Sequence, residues 1–153
     1  FLFNGRGYRL GPMKPALESQ IAKTREQILK ALLRLETSFK KTSLLSTQAE
    51  ALSDDDLESW EGLLARFART IDLFSSKYIR LMVLKQEPGF RGSTRDHLNV
   101  AEKLGLIGSA EAWAELKELR NRQAHDYEDK DLSGLFEAVR KEIPTILKIR
   151  DRL

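Results

Sequence analysis

Apolar residues recur at steps of three and four along most of this chain, and no stretch keeps a strict apolar–polar alternation. That period keeps one face of a helix dry and argues against strands. Ile21, Ile28, Leu32, Leu35 and Phe39 define a first helix from about Pro15 to Lys41. The polar stretch Thr42 to Leu52 reads as a loop with a single turn. Ser53 then offers an N-cap, and Asp54, Asp55 and Asp56 fill the first turn, where carboxylates face the positive end of the helix dipole. The helix they open runs to about Gln86. Its stripe of Trp60, Leu63, Leu64, Phe67, Ile71, Phe74, Tyr78, Leu81 and Met82 is wide enough for burial on more than one side. The plain reading is core; the alternative is that part of the stripe faces another subunit. Pro88 and Gly89 end it.

Ser93 or Thr94 can cap a third helix, from about Arg95 to Leu104, with Gly105 as its C-cap. Ser109 opens a fourth, with Glu111 and Glu115 near its start, which runs to about His125. The acidic stretch Asp126 to Asp131 reads as a turn. Asp131 or Ser133 starts a fifth helix carrying Leu135, Phe136, Val139, Ile143, Ile146, Leu147 and Ile149, which Pro144 is expected to kink or break. The fold class is therefore all-α, a five-helix antiparallel bundle, the usual solution for amphipathic helices joined by short connections.

Composition narrows the function classes more than it selects one. A chain of 153 residues suits a single domain with a real core. The absence of cysteine excludes a disulfide framework and a thiolate zinc site, and fits a cytoplasmic protein. No apolar run approaches the ~18–20 residues that span a bilayer. The net charge of +3, from 26 basic against 23 acidic residues, permits contact with nucleic acid without arguing for it. Residues 1–12 are rich in glycine and aromatics and lack helical period. They read as a disordered arm or an appended remnant with Met13 the natural start, ahead of a helical domain over residues 13–153. They lack the features of a secretory signal.

The candidate chemistry lies at the end of the fourth helix, in Arg120-Asn121-Arg122-Gln123-Ala124-His125-Asp126-Tyr127. A permanent cation, a titratable imidazole and a phenol fall within two helical turns. Such a set can bind a phosphodiester and move protons without a metal. Trp113, Leu116, Arg120, Ala124 and Tyr127 share one stripe, so Arg120 stands where an apolar residue is expected. A charge there is costly unless used or paired; pairing with Glu115 or Glu118 is the simplest structural explanation. Asn121 and His125, four apart, share the adjacent flank. Arg120 and His125 are five apart and diverge by roughly 140° about the axis. One helix does not easily converge both on one atom, and two copies across a two-fold axis can.

The segment Leu119 to Tyr127, LRNRQAHDY, resembles the signature of HEPN domains, in particular the HepT-like branch with Arg-x4-His-x-Tyr. The likeness extends through RFARTIDLFSSKYIRLMV of the second helix and HLNVAEKLGLI further on, as in members that pair with minimal nucleotidyltransferases. The resemblance implies a homodimeric toxin of a toxin–antitoxin pair, a metal-independent endoribonuclease acting on RNA and needing no cofactor. It also implies roles for site residues. Arg120 would neutralise the phosphate, His125 would act as general acid or base, and Asn121 would hold the imidazole or the substrate. Tyr127 would accept AMP from a cognate nucleotidyltransferase antitoxin, and packing with a hydrogen-bonded hydroxyl is its structural alternative.

Two other functions compete. One is a non-catalytic nucleotide- or substrate-binding subunit of a nucleotidyltransferase, and the other a plain helical dimerisation domain with a decayed motif; the intact Arg120, Asn121, His125 and Tyr127 weigh against the latter. His97 reads as a structural or surface residue. Asp54 to Asp56 read as a helix start rather than a magnesium site. The glycines of 5–7 and 89–92 lack the Lys-Ser/Thr of a phosphate loop. No Ser–His–Asp arrangement is readable.

Overall fold

The computed structural model describes residues 13–125 and 131–153. Among them there is no strand, and the chain forms an all-α bundle of five helical rods. Helix α1 is Met13–Thr42. The second rod is continuous from Asp54 to Gln86 but has three parts: α2, Asp54–Ile71; a π-helical segment, Asp72–Tyr78; and α3, Ile79–Gln86. Then come α4, Thr94–Lys103, α5, Ala110–His125, and α6, Leu132–Leu147, which tightens into a 3-10 turn at Lys148–Arg152. No helix among the described residues is long and apolar enough to cross a membrane.

The ends of these helices follow from short-range chemistry. The Ser53 hydroxyl accepts the Asp56 N–H at 3.2 Å and caps α2. At α4 the capping is reciprocal: Ser93 accepts from the Asp96 N–H, and the Asp96 carboxylate accepts from the Ser93 N–H at 2.7 Å. Gly105 closes α4 at φ +73°, with its N–H on Glu102 O and the Leu106 N–H on Ala101 O. These crossed bonds form a Schellman motif, which needs the left-handed conformation glycine adopts freely. Asp131 caps α6 by accepting the Gly134 N–H. Pro144, expected to kink or break the last helix, lies within α6, and the chain continues helical through it to Leu147. Its ring is exposed.

The rods pack antiparallel where their contacts can be followed. Along α2 to α3, Arg66, Lys77 and Lys85 meet Ser38, Gln27 and Glu18 in turn, descending α1 as the second rod ascends. Between them lies a core from every rod: Leu32, Phe67, Leu98, Leu116 and Phe136 are all buried. The second-rod stripe expected to be core is buried from Trp60 to Tyr78, while Leu81 and Met82 at its end are half-buried. Trp60 stacks on Phe136, centroids 4.5 Å apart, and donates its indole N–H to Ser46 O. Arg140 lies over the same indole and donates to Leu45 O. The polar loop between α1 and α2 is thus tied down onto α6.

Candidate active site

The π-helical segment is what the motif helix rests on. Here the Ile79 N–H reaches back five residues to Phe74 O, and each turn widens. Phe74, Ser75 and Tyr78 are all buried within it, and the Ser75 hydroxyl donates to Ile71 O at 2.6 Å. Helix α5 meets the segment at three levels. Trp113 packs on Phe74, with centroids 4.6 Å apart. The Lys117 ammonium donates to the Ser76 hydroxyl at 2.8 Å. Arg120 closes on Asp72, the first residue of the segment.

That last contact is a side-on fork. Nε of Arg120 donates to Oδ1 of Asp72 at 2.9 Å and to Oδ2 at 3.1 Å, and Nη2 donates to Oδ2 at 2.8 Å. The hydrogen bond to Asp72, outweighing the cost of partial burial, pushes the guanidinium above its ordinary pKa, so it is cationic at every working pH. The pair replaces the alternative of a local partner, Glu115 or Glu118, with a distant one. Glu115 and Glu118 lie on the exposed side of α5, whereas Arg120 faces the second rod. The pair sits at a shallow groove of about 450 Å³ lined by Ala65, Ala68, Arg69, Leu73 and Lys77 besides the two partners. Two alanines keep its floor open, and Arg69, Lys77 and Arg120 face one carboxylate there, so the groove is cationic.

The remaining motif residues are placed less completely. Asn121 is exposed on α5, one residue beyond Arg120. His125 is the last residue of α5; its side chain lies outside the described residues, as does Tyr127 entirely. The helix is unbroken from Ala110 to His125, so Arg120, Asn121 and the His125 backbone keep the helical phase read from their spacing. A separate cleft of about 580 Å³, between α5 and the end of α6, is lined by Phe74, Trp113, Leu116, Ile149 and Arg152 among others and does not include Arg120. His97 is structural: it is buried, its Nδ1 donates to Ser93 O at 2.8 Å, and its ring meets Phe90 edge-on.

Asp72 is the residue that sequence reasoning missed. Its signal was present: a carboxylate beside Ile71 on the second rod, and an arginine on a semi-apolar stripe of another helix, each needing an opposite charge.

A helical bundle bearing Arg-Asn-x3-His at the end of one rod is the arrangement that the resemblance to HEPN domains implies. The branch follows from comparison: residues 94–153, which include α4, α5 and α6, match the family of HepT-like ribonucleases, described as Ribonuclease HepT-like. Over residues 94–153 the chain is similar to HepT-like ribonucleases, and the resemblance carried by LRNRQAHDY is borne out there. No curated protein and no solved structure matches the chain.

Proposed function

We propose that this protein is a metal-independent endoribonuclease, the toxin of a pair whose antitoxin is a minimal nucleotidyltransferase. The observation that carries the reading is the cationic Arg120, braced at one edge on α5 inside the HepT-like region, with Asn121 and His125 on the same helix. In this reading Arg120 binds the scissile phosphate and offsets the charge that grows on its oxygens. The His125 imidazole takes the proton from a ribose 2′-hydroxyl. The freed oxygen bonds to phosphorus as the P–O5′ bond breaks, and an imidazolium returns a proton to the leaving oxygen. The products are a 2′,3′-cyclic phosphate and a 5′-hydroxyl. Asn121 holds the imidazole or the substrate. Because Arg120 and His125 diverge on one helix, the working site is a homodimer in which two copies of α5 face each other.

Tyr127 is the proposed site of control. Transfer of AMP from ATP to its hydroxyl, with pyrophosphate leaving, would place a bulky anion two residues from His125 and close to Arg120. Intact-mass and peptide analysis after co-expression with the partner tests this step, and an adduct on another residue, or none, counts against it.

The decisive assay is RNA cleavage in EDTA by the wild-type chain, Arg120→Ala and His125→Ala, with the new ends identified. Loss of cleavage in both variants is the expected result. EDTA-resistant cleavage untouched by either substitution overturns the assignment. Absence of cleavage together with saturable nucleotide binding that Arg120→Ala abolishes would favour the binding-subunit reading.

A further inference from the structure

We propose that Asp72 is the positioning residue of this site: it fixes the Arg120 guanidinium so that one edge is held and the other is presented to an RNA phosphate. The inference rests on the ribonuclease reading above. An arginine side chain loses rotamer freedom when fixed in one geometry. Asp72 meets that cost in advance by gripping Nε and Nη2 together. Both N–H groups of Nη1, and the second of Nη2, make no hydrogen bond among the described residues. These are the donors a phosphate needs for a fork of its own, on the side of the guanidinium away from the carboxylate. Three features support a built arrangement rather than a chance surface pair. The two residues are 48 positions apart in sequence, so the fold and not the local helix brings them together. Asp72 begins the π-helical segment, whose wider turn sets its phase on the second rod. Phe74 and Ser76, just beyond, hold Trp113 and Lys117 of the motif helix, so the carboxylate and the guanidinium are carried by two elements clamped to each other.

The charge balance distinguishes positioning from simple attraction. Asp72 is anionic and adjacent to the place proposed for phosphate, so its presence works against RNA binding and favours only orientation. The test is steady-state cleavage by the full chain of a short RNA oligonucleotide that the wild-type protein cuts. Asp72→Asn is expected to lower kcat about a hundredfold, the scale of a misplaced catalytic group, while KM stays the same or falls because a negative charge has left the groove. Asp72→Glu is expected to recover part of kcat. If Asp72→Asn fails to fold, Asp72→Glu carries the test and must lower kcat at unchanged KM. A merely structural role would lower the melting temperature and the amount of active protein without separating kcat from KM. Wild-type kcat in Asp72→Asn overturns the proposal, and a raised kcat overturns it too by making Asp72 a lock. If the wild-type chain cuts no RNA, the ribonuclease reading fails and this proposal with it. If wild type cuts and Asp72→Asn is unimpaired, the positioning role alone fails.

Discussion

The Phe74 ring lies 4.6 Å from Trp113, tilted by 39°, and through this contact the first half of α5 rests on the π-helical segment of the second rod. Phe74 is fully buried and Trp113 half-buried. Truncating Phe74 to alanine therefore removes an aromatic core residue and the seat of the motif helix together. The expected loss is about 3 kcal/mol in urea unfolding. The chain has two tryptophans, and the other, Trp60, is buried against Phe136. A red shift in emission from Trp113, isolated in a Trp60→Phe background, is the local readout. Unchanged emission would mean that α5 is held from elsewhere.

The same substitution is expected to act in opposite directions at two glycines. Gly105 holds φ +73° at the end of α4, where a Cβ is strained whatever the space, so Gly105→Ala should cost about 1–2 kcal/mol. Gly62 sits inside α2 with nothing within 4 Å of an added Cβ, so Gly62→Ala should stabilise by about 1 kcal/mol. Paired thermal melts compare the two, and a common sign would contradict the backbone argument.

Two carboxylates make stability fall in acid. The guanidinium of Arg150, donating to Glu36 at 2.8 Å, holds the Glu36 carboxyl below its ordinary range. The Ser93 backbone N–H, and then its hydroxyl, do the same for Asp96. A folded-state pKa below the unfolded value means that the unfolded chain takes up the proton first. Both contributions are in place above the ordinary carboxylate pKa of about 4 and disappear as pH falls through the lower folded values. Glu36→Gln and Asp96→Asn should melt below wild type at neutral pH, and the gap should narrow towards pH 3. A gap independent of pH would remove both groups from the acid response.

What could be read from sequence divides by range. Ser53 and Gly105 were legible as caps, and Ser93 and Asp131 as one of two candidates each, because the bonds that make them caps reach only three to five residues. The long second rod was legible from its apolar stripe. Its π-helical segment was not, since Asp72–Tyr78 contains neither proline nor glycine to mark it, and what distinguishes the segment is the burial of Phe74, Ser75 and Tyr78. The position of Arg120 on a semi-apolar stripe was readable and signalled a need for a partner. Its partner was not, because a local glutamate and a distant aspartate satisfy the same need and only the fold chooses. Pro144 is a strong local signal that does not end the helix: α6 continues through it to Leu147, with Ile143 and Ile146 buried on either side.

Arg120→Lys separates charge from geometry at the proposed site. Lysine keeps the positive charge but offers a single compact ammonium in place of a planar fork. It can approach Asp72 or a phosphate, and it cannot grip the first with one edge while presenting a second edge to the other. The stability effect should be small, because the Arg120 and Asp72 side chains remain 27% and 42% exposed and solvent-screened pairs of this kind contribute about 0–1 kcal/mol. The effect on RNA cleavage should be large, a fall of about a hundredfold or more in kcat, as when a fixed donor to a developing oxyanion is lost. Melting temperature and cleavage rate measured on the same preparation decide between the two roles. A variant that melts like wild type and cleaves like wild type would show that charge alone suffices at this position, and the fork with Asp72 would then have no part in the chemistry.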